Sequence, residues 1–84
     1  MKIDPKTFEG FSRVLTGVVV PRPIALVSTK SADGIVNLAP YSFFNAVAYD
    51  PPTIIFSSSR RVGEKRGKTK DTLANIEATG EFVI

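Results

Sequence analysis

Short apolar blocks, separated by turn-forming residues, recur along most of this chain. Four of these blocks predict β-strands, at residues 24–29, 35–38, 45–49 and 53–57. A fifth strand is predicted at 81–84. Asp33-Gly34 suits a tight hairpin between the first two strands, Pro40 is expected to break the pairing after the second, and Asp50 with the two prolines after it predicts a rigid corner. This pattern predicts a mainly β fold.

Two further segments have the pattern of short helices. Residues 4–17 place several apolar side chains on one helical face, with Asp4 as the predicted cap and Gly17 as a left-handed C-terminal stop. Residues 70–80 also predict a helix, which ends at Gly80. The fold class expected from the pattern is therefore β with short helices, arranged as a barrel or sandwich.

Composition limits the chemistry that the chain can perform. The 84 residues argue for one domain, and they include no cysteine and no histidine. Thiol catalysis, histidine bases and zinc sites built on these residues are excluded, so any enzymatic chemistry is expected to come from a bound cofactor. The longest apolar run, GVVV, is too short to span a bilayer. No membrane partner is predicted, and a cytoplasmic location is the default expectation.

The net charge of +3 is concentrated in one basic stretch, RRVGEKRGKTK at residues 60–70. Such a stretch suggests an anionic partner, either a phosphate group or a nucleic acid. A solvated loop explains it equally well. Arg22 stands between two prolines, and this spacing favours an exposed charge in a rigid connector over a cation at a ligand site.

Three stretches carry candidate ligand-binding groups. APYS at 39–42 offers a small residue and a fixed backbone beside aromatics, which suits the edge of a planar ring. SSSR at 57–60 offers hydroxyl and guanidinium donors for phosphate. The predicted helix start near Lys70 and Thr72 adds an anion-favouring end, although Asp71, as a cap, would occupy amide donors there. Each stretch also has a purely structural explanation. APYS could be a plain turn, SSSR a frayed strand end, and the helix start a capped surface helix.

Three ordered motifs resemble the flavin reductase-like, FMN-binding split-barrel family. They are TGVVVPRPIALVST, DGIVNLAPYSFFNAVAYDPPTIIFS and KDTLANIEATGEFVI, and the resemblance runs from about Leu15 to Ile84. It implies a Greek-key split β-barrel, a homodimer, FMN as cofactor and NAD(P)H as electron donor. Full members are roughly twice this length or more. Residues 1–84 are therefore expected to be the N-terminal part of one truncated domain.

The resemblance also implies the roles of particular residues. The isoalloxazine ring and ribityl chain would lie along β-strand and turn residues, and the phosphate would lie near hydroxyls and cations. The implied cofactor-binding residues are Ala39, Pro40, Tyr41, Ser42, Ser57, Ser58, Arg60, Lys70 and Thr72. No side chain is predicted to be catalytic, and no metal ligand is predicted. The implied function is that of an NAD(P)H-linked flavin or ferric reductase, or of a flavoredoxin-like electron carrier.

Two other functions stay open from the residues alone. A small nucleic-acid-binding barrel would use the basic stretch and nearby aromatics, but the clustering of aromatics in YSFF, at residues 41–44, weighs against it. A non-catalytic barrel fragment would associate through an open strand edge. Three results distinguish these functions. Flavin binding would indicate the flavoprotein, salt-dependent binding of single strands the nucleic-acid-binding barrel, and association without NAD(P)H oxidation the non-catalytic fragment.

Overall fold

The computed structural model describes residues 2–60 and 68–84 and contains short helices and antiparallel strands. In chain order the elements are α1 (Phe11–Val18), β1 (Ala25–Lys30), β2 (Val36–Tyr41), β3 (Phe44–Ala48), β4 (Thr53–Phe56) and α2 (Asp71–Thr79). Strand β1 pairs with β2, and β3 pairs with β4. The predicted class of β with short helices is confirmed. The strands in the described ranges form two hairpins and do not close a barrel.

The first helix is shorter than predicted at its start. Residues 4–8 form a separate turn, in which the amides of Thr7 and Phe8 donate to the Asp4 carbonyl oxygen at 3.2 and 3.0 Å. Helix α1 begins only after Gly10, whose φ of 72° is left-handed and interrupts a continuous helix. At the other end, Gly17 lies inside α1 instead of terminating it. The prediction of one helix from Asp4 to Gly17 was wrong at both ends.

The β1–β2 hairpin follows the predicted turn and runs further than predicted. The Gly34 amide donates to the Ser31 carbonyl oxygen at 2.9 Å, and Gly34 has the positive φ, 85°, that a tight turn favours. Pairing continues through Leu26 opposite Pro40 to the end of β2. The prediction that Pro40 breaks the pairing was wrong. A proline is tolerated in an edge strand, where its missing amide proton costs no ladder bond on the unpaired side.

The second hairpin carries an irregularity and joins the first through aromatic rings. Pairing between β3 and β4 shifts register between Ala46 and Ala48, and a turn at residues 49–52 occupies the predicted corner. The Tyr41 and Phe56 ring centroids lie 5.1 Å apart, and those of Phe56 and Phe82 lie 5.2 Å apart. These contacts connect the end of β2 to the end of β4.

Helix α2 covers one face of the β1–β2 hairpin. Alternate residues of β1 are buried beneath it, as the two-residue period of a strand requires, and Val27 and Thr72 are the largest fully buried side chains. The helix ends as predicted at Gly80, with a φ of 73° and a 2.7 Å bond from its amide to the Ile76 carbonyl oxygen. No helix of the described residues is long and apolar enough to cross a membrane.

The last residues pair with the free edge of β1. Ser28 and Val83 exchange two backbone hydrogen bonds of 2.8 and 3.0 Å, so the predicted fifth strand is present as a single bridge. The hairpin face away from α2 remains apolar and open. On it Leu26, Val36 and Leu38 are 55%, 61% and 61% exposed.

Candidate functional site

Two adjoining cavities of about 250 Å³ each meet at the start of α2 and share Lys70. The first, which we call the cationic cavity, is lined by Ser58, Ser59, Arg60, Lys68, Thr69, Lys70 and Leu73. The second, which we call the Tyr41 cavity, is lined by Asn37, Ala39, Pro40, Tyr41, Lys70, Asp71 and Thr72. The end of β4 and the start of α2 thus form one cavity, and β2 with the start of α2 forms the other.

The cationic cavity has the chemistry of an anion site. Arg60, Lys68 and Lys70 line it, and none of its described lining residues is acidic. The Ser58 hydroxyl oxygen is buried and has no hydrogen-bond partner among the described residues. A buried polar group without a partner is costly, so it commonly marks a site whose partner is a ligand, an ion or water. Hydroxyl and cationic donors together suit a phosphate.

The start of α2 is more open to an anion than the sequence indicated. Lys70, in extended conformation, is the N-cap residue, and its side chain makes no capping hydrogen bond. Asp71 is the first helical residue, so the expectation that it would occupy the amide donors as a cap was wrong. The uncapped amides and the helix dipole favour negative charge at this end, whereas the Asp71 carboxylate opposes it.

The Tyr41 cavity presents mainly strand backbone and small side chains. Ala39 and Pro40 line it, and the Tyr41 ring, only 7% exposed, belongs mostly to the core. The Lys70 ammonium nitrogen lies 5.8 Å from the centroid of that ring. This geometry places one cation between a flat strand platform and the cationic cavity.

A third cavity, of about 420 Å³, lies at the β2–β3 turn, and Arg22, Ser42 and Ser57 are among the residues that line it. The Arg22 guanidinium donates to the Thr16 and Val19 carbonyl oxygens at 3.1 and 3.2 Å, and to the Ser42 hydroxyl at 3.4 Å. The sequence favoured an exposed charge at Arg22, but the residue is half-buried and ties the end of α1 to the turn. The prolines on either side of Arg22 restrict the backbone there, and they were the sequence signal that could have identified Arg22 as a positioned cation.

Each of the nine predicted cofactor-binding residues lines at least one of these three cavities. Ala39, Pro40, Tyr41 and Thr72 line the Tyr41 cavity, Ser58 and Arg60 the cationic cavity, Lys70 both, and Ser42 and Ser57 the third. Sequence reasoning missed Asn37, whose side chain contacts Thr72. The part of the predicted basic stretch at 61–67 lies outside the described residues.

Comparisons with known proteins find one matching family and several similar proteins. The family described as "Flavin reductase like domain" matches residues 17–84. YwrF of Bacillus subtilis (strain 168) is 47% identical over 72 residues, which make up 86% of this chain and 33% of that protein. BH2278 of Halalkalibacterium halodurans is 45% identical over 87 aligned positions, covering 100% of this chain and 40% of that protein.

Two solved structures resemble the fold. Nitrilotriacetate monooxygenase component B from Bacillus cereus superposes with a TM-score of 0.82 at 39% identity, covering 98% of this chain and 41% of that one. The 2-nitrobenzoate 2-nitroreductase NbaA of Pseudomonas fluorescens gives a TM-score of 0.75 at 36% identity, covering 100% of this chain and 39% of that one. The chain thus spans about two fifths of these proteins, and 33% to 40% of the two relatives above.

Proposed function

This chain belongs to the flavin reductase-like family, and on that premise we propose that it is the FMN-binding part of an NAD(P)H-linked oxidoreductase. The candidate activities are those of a flavin or ferric reductase and of a flavoredoxin-like electron carrier. The observation that carries the proposal is the pair of cavities joined at Lys70, one cationic and one lined by strand backbone. This pairing matches a ligand with an anionic end and a flat end.

The residues present fit such a cofactor. The unpartnered Ser58 hydroxyl, together with Arg60 and Lys70, would hold the phosphate of FMN in the cationic cavity. Ala39 and Pro40 would lie beside the ring system in the Tyr41 cavity, where a small side chain and a flat strand allow close approach. Thr72 would add a hydroxyl donor in the Tyr41 cavity.

The amino-acid composition of the chain indicates which chemical roles belong to the protein and which to the cofactor. A bound flavin supplies hydride and one-electron chemistry, so the absence of histidine and cysteine from this chain removes nothing the reaction needs. The protein would then bind the phosphate, orient the ring against β2 and limit the access of water to the cationic cavity. We therefore assign binding and positioning roles, and no proton-transfer role, to the side chains.

The proposal extends to partners. The two similar solved structures are a monooxygenase component and a nitroreductase, which supports oxidoreductase chemistry of the same general kind. NAD(P)H as donor, a split barrel completed beyond the described strands, a homodimer and a cytoplasmic location are parts of the same proposal. Neither a membrane nor a nucleic acid is among the proposed partners.

A flavin titration tests the proposed function directly. The purified chain should show flavin absorbance after reconstitution, and it should quench FMN fluorescence in a saturable manner. NAD(P)H oxidation in the presence of FMN would then be measured with flavin and ferric acceptors. A folded chain that neither retains FMN nor alters its fluorescence would refute FMN binding by these residues.

A second candidate is a non-catalytic fragment that associates through its open sheet. The exposed apolar face of the first hairpin, with Leu26, Val36 and Leu38, favours it. This alternative predicts a dimer or larger species in size-exclusion chromatography and no NAD(P)H oxidation when FMN is added. Monomeric elution together with FMN-dependent NAD(P)H oxidation would exclude it.

A further inference from the structure

The guanidinium group of Arg22, in the third cavity, is held in one orientation by its neighbours. Its Nη1 donates to the Thr16 and Val19 carbonyl oxygens, at 3.1 and 3.2 Å, at the end of α1. Its central carbon lies 5.2 Å from the centroid of the Phe43 ring. These contacts fix both the direction and the plane of the group. The cation is therefore positioned before any ligand binds.

The opposite edge of the guanidinium group has few partners. Nη2 donates to the Ser42 hydroxyl oxygen at 3.4 Å, which is long for a hydrogen bond, and the buried Nε has no partner among the described residues. In arginine the Nε–H and one Nη2–H point to the same side, and this fork suits two parallel hydrogen bonds to a carboxylate. A buried donor without a partner is costly, so this edge indicates a missing acceptor.

The remainder of the third cavity is suited to an apolar ring. Its volume of about 420 Å³ lies within the range of small-molecule sites. Most of its lining side chains are apolar, among them Phe44 and Ile55, and none of its described lining residues is acidic. Arg22 is its one lining cation, whereas three cations line the cationic cavity. A ligand with one negative charge and an apolar body therefore complements this cavity better than a phosphate does.

We propose that the third cavity is a binding site for a small aromatic carboxylate. The carboxylate group pairs with the Nε and Nη2 edge of Arg22, and the ring packs on Phe44 and Ile55. The inference goes beyond the proposed function, because it assigns a second class of ligand to a separate cavity and does not require bound flavin. Residues 41 and 42 are adjacent but line different cavities, so the acid would lie close to the proposed ring site.

The test is an NMR titration of the full chain, without flavin, that uses benzoate as the probe. An arginine Nε–H gives its own ¹H–¹⁵N signal, so the Arg22 signal reports directly on the proposed contact. Benzoate should shift this signal in a saturable manner. Benzamide has the ring without the charge, and acetate has the charge without the ring. Each should bind at least about 10-fold more weakly than benzoate.

The first variant removes the proposed cation. Arg22→Gln loses the charge and the fork but keeps an amide donor for the carbonyl oxygens of α1. It should weaken benzoate binding at least about 10-fold, as expected for the loss of a bond between charged groups. Arg13→Gln is the matched control, because Arg13 is an exposed arginine of α1 that does not line the cavity. It should leave benzoate binding nearly unchanged.

A second pair of variants leaves Arg22 in place and decides the question if Arg22→Gln does not fold. Ile55 lies in β4, is 54% exposed and lines the cavity. Ile55→Glu would bring a carboxylate into the cavity, where it repels the ligand and competes for Arg22, whereas Ile55→Gln has nearly the same shape without the charge. Benzoate binding should be lost in the Glu variant and retained, although weakened, in the Gln variant. Thermal unfolding of both checks that they fold.

Several outcomes would overturn the inference. They are the absence of a saturable shift in the wild type, equal affinity for benzoate and benzamide, and equal binding by the two Ile55 variants. Unchanged affinity in Arg22→Gln would place the carboxylate elsewhere. Displacement of benzoate by riboflavin would assign the cavity to the flavin, whereas simultaneous binding supports a separate site. Benzoate binding by a chain that does not bind FMN would refute the proposed function and leave this inference standing.

Discussion

Replacing Lys70 by methionine tests the phosphate assignment at the residue that the two cavities share. Methionine retains a flexible apolar stem of similar length beside the Tyr41 ring while removing the ammonium group. The change should weaken FMN binding and leave riboflavin binding nearly intact, because only FMN carries the phosphate. Alanine at the same position would also remove the stem and confuse lost packing with lost charge.

The magnitude follows from the contact that Lys70 would make. Lys70 lines the cationic cavity together with Arg60 and Lys68, so a phosphate there would be held by several donors. A hydrogen bond to a charged group contributes about 1.5–3 kcal/mol, which corresponds to roughly 10- to 150-fold in the dissociation constant. The contact of Lys70 with the Tyr41 ring, roughly 0.5–1 kcal/mol, exists with either flavin and largely cancels from their ratio.

The assay is fluorescence titration of FMN and riboflavin against wild type and Lys70→Met at low and moderate salt. The preference for FMN should shrink as salt rises in the wild type and depend less on salt in the variant, because part of it is electrostatic. Lys30→Met is the matched control: Lys30 is an exposed lysine of β1 that lines neither the cationic nor the Tyr41 cavity. It should leave both dissociation constants unchanged apart from a small long-range effect.

Two results would refute this reasoning. Equal weakening of FMN and riboflavin would show that Lys70 supports the fold or the ring site instead of the phosphate. An unchanged FMN affinity would show that the phosphate lies elsewhere. Circular dichroism of both variants separates the first result from simple unfolding.

Three further predictions concern the ring side and the fold. The family resemblance implies that Ser42 contacts parts common to both flavins, so Ser42→Ala should weaken FMN and riboflavin alike, by about 2- to 10-fold, in calorimetric titration. Because Ser42 lines the third cavity and accepts from Arg22, a loss for FMN alone or no loss for either flavin would show that Ser42 is wrongly placed. Gly17→Ala, inside α1, should stabilise the chain by about 0.5–1 kcal/mol, whereas Gly80→Ala, at a φ of 73°, should destabilise it by about 1–2 kcal/mol; urea unfolding showing the same sign for both would contradict this. Val27→Ala should cost about 2 kcal/mol in the same assay, because Val27 is fully buried, and a cost near zero would contradict its core role.

Strand and helix positions were largely predictable because local chemistry determines them. The apolar block at residues 24–29 predicted β1, the Asp33-Gly34 turn predicted its hairpin, and Gly80 predicted the end of α2. The errors came from residues whose effect depends on tertiary context. Pro40 is compatible with pairing in an edge strand, and Gly10, which precedes α1, takes the left-handed conformation, whereas Gly17 lies inside the helix.

The candidate site was predictable as a set of residue types and less so as an arrangement. SSSR and KDT (residues 57–60 and 70–72) indicated hydroxyls and cations, and the structure places all of them except Ser57 around the two adjoining cavities. The partnership of Asn37 with Thr72 spans 35 positions, so no local pattern reveals it. Arg22 likewise acquires its partners only when α1 and the β2–β3 turn come together.

Aromatic packing explains why these distant stretches meet at one place. Tyr41 ends β2 and Phe56 ends β4, and their ring contact fixes the two strand ends next to each other. The serine run that follows Phe56 therefore emerges beside the strand platform that precedes Tyr41. Because the Tyr41 ring packs on Phe56 and is only 7% exposed, it is not free to stack on bases, which weakens the nucleic-acid alternative. The same packing leaves the cations and the β2 backbone to face a ligand, as a phosphate-bearing flavin requires.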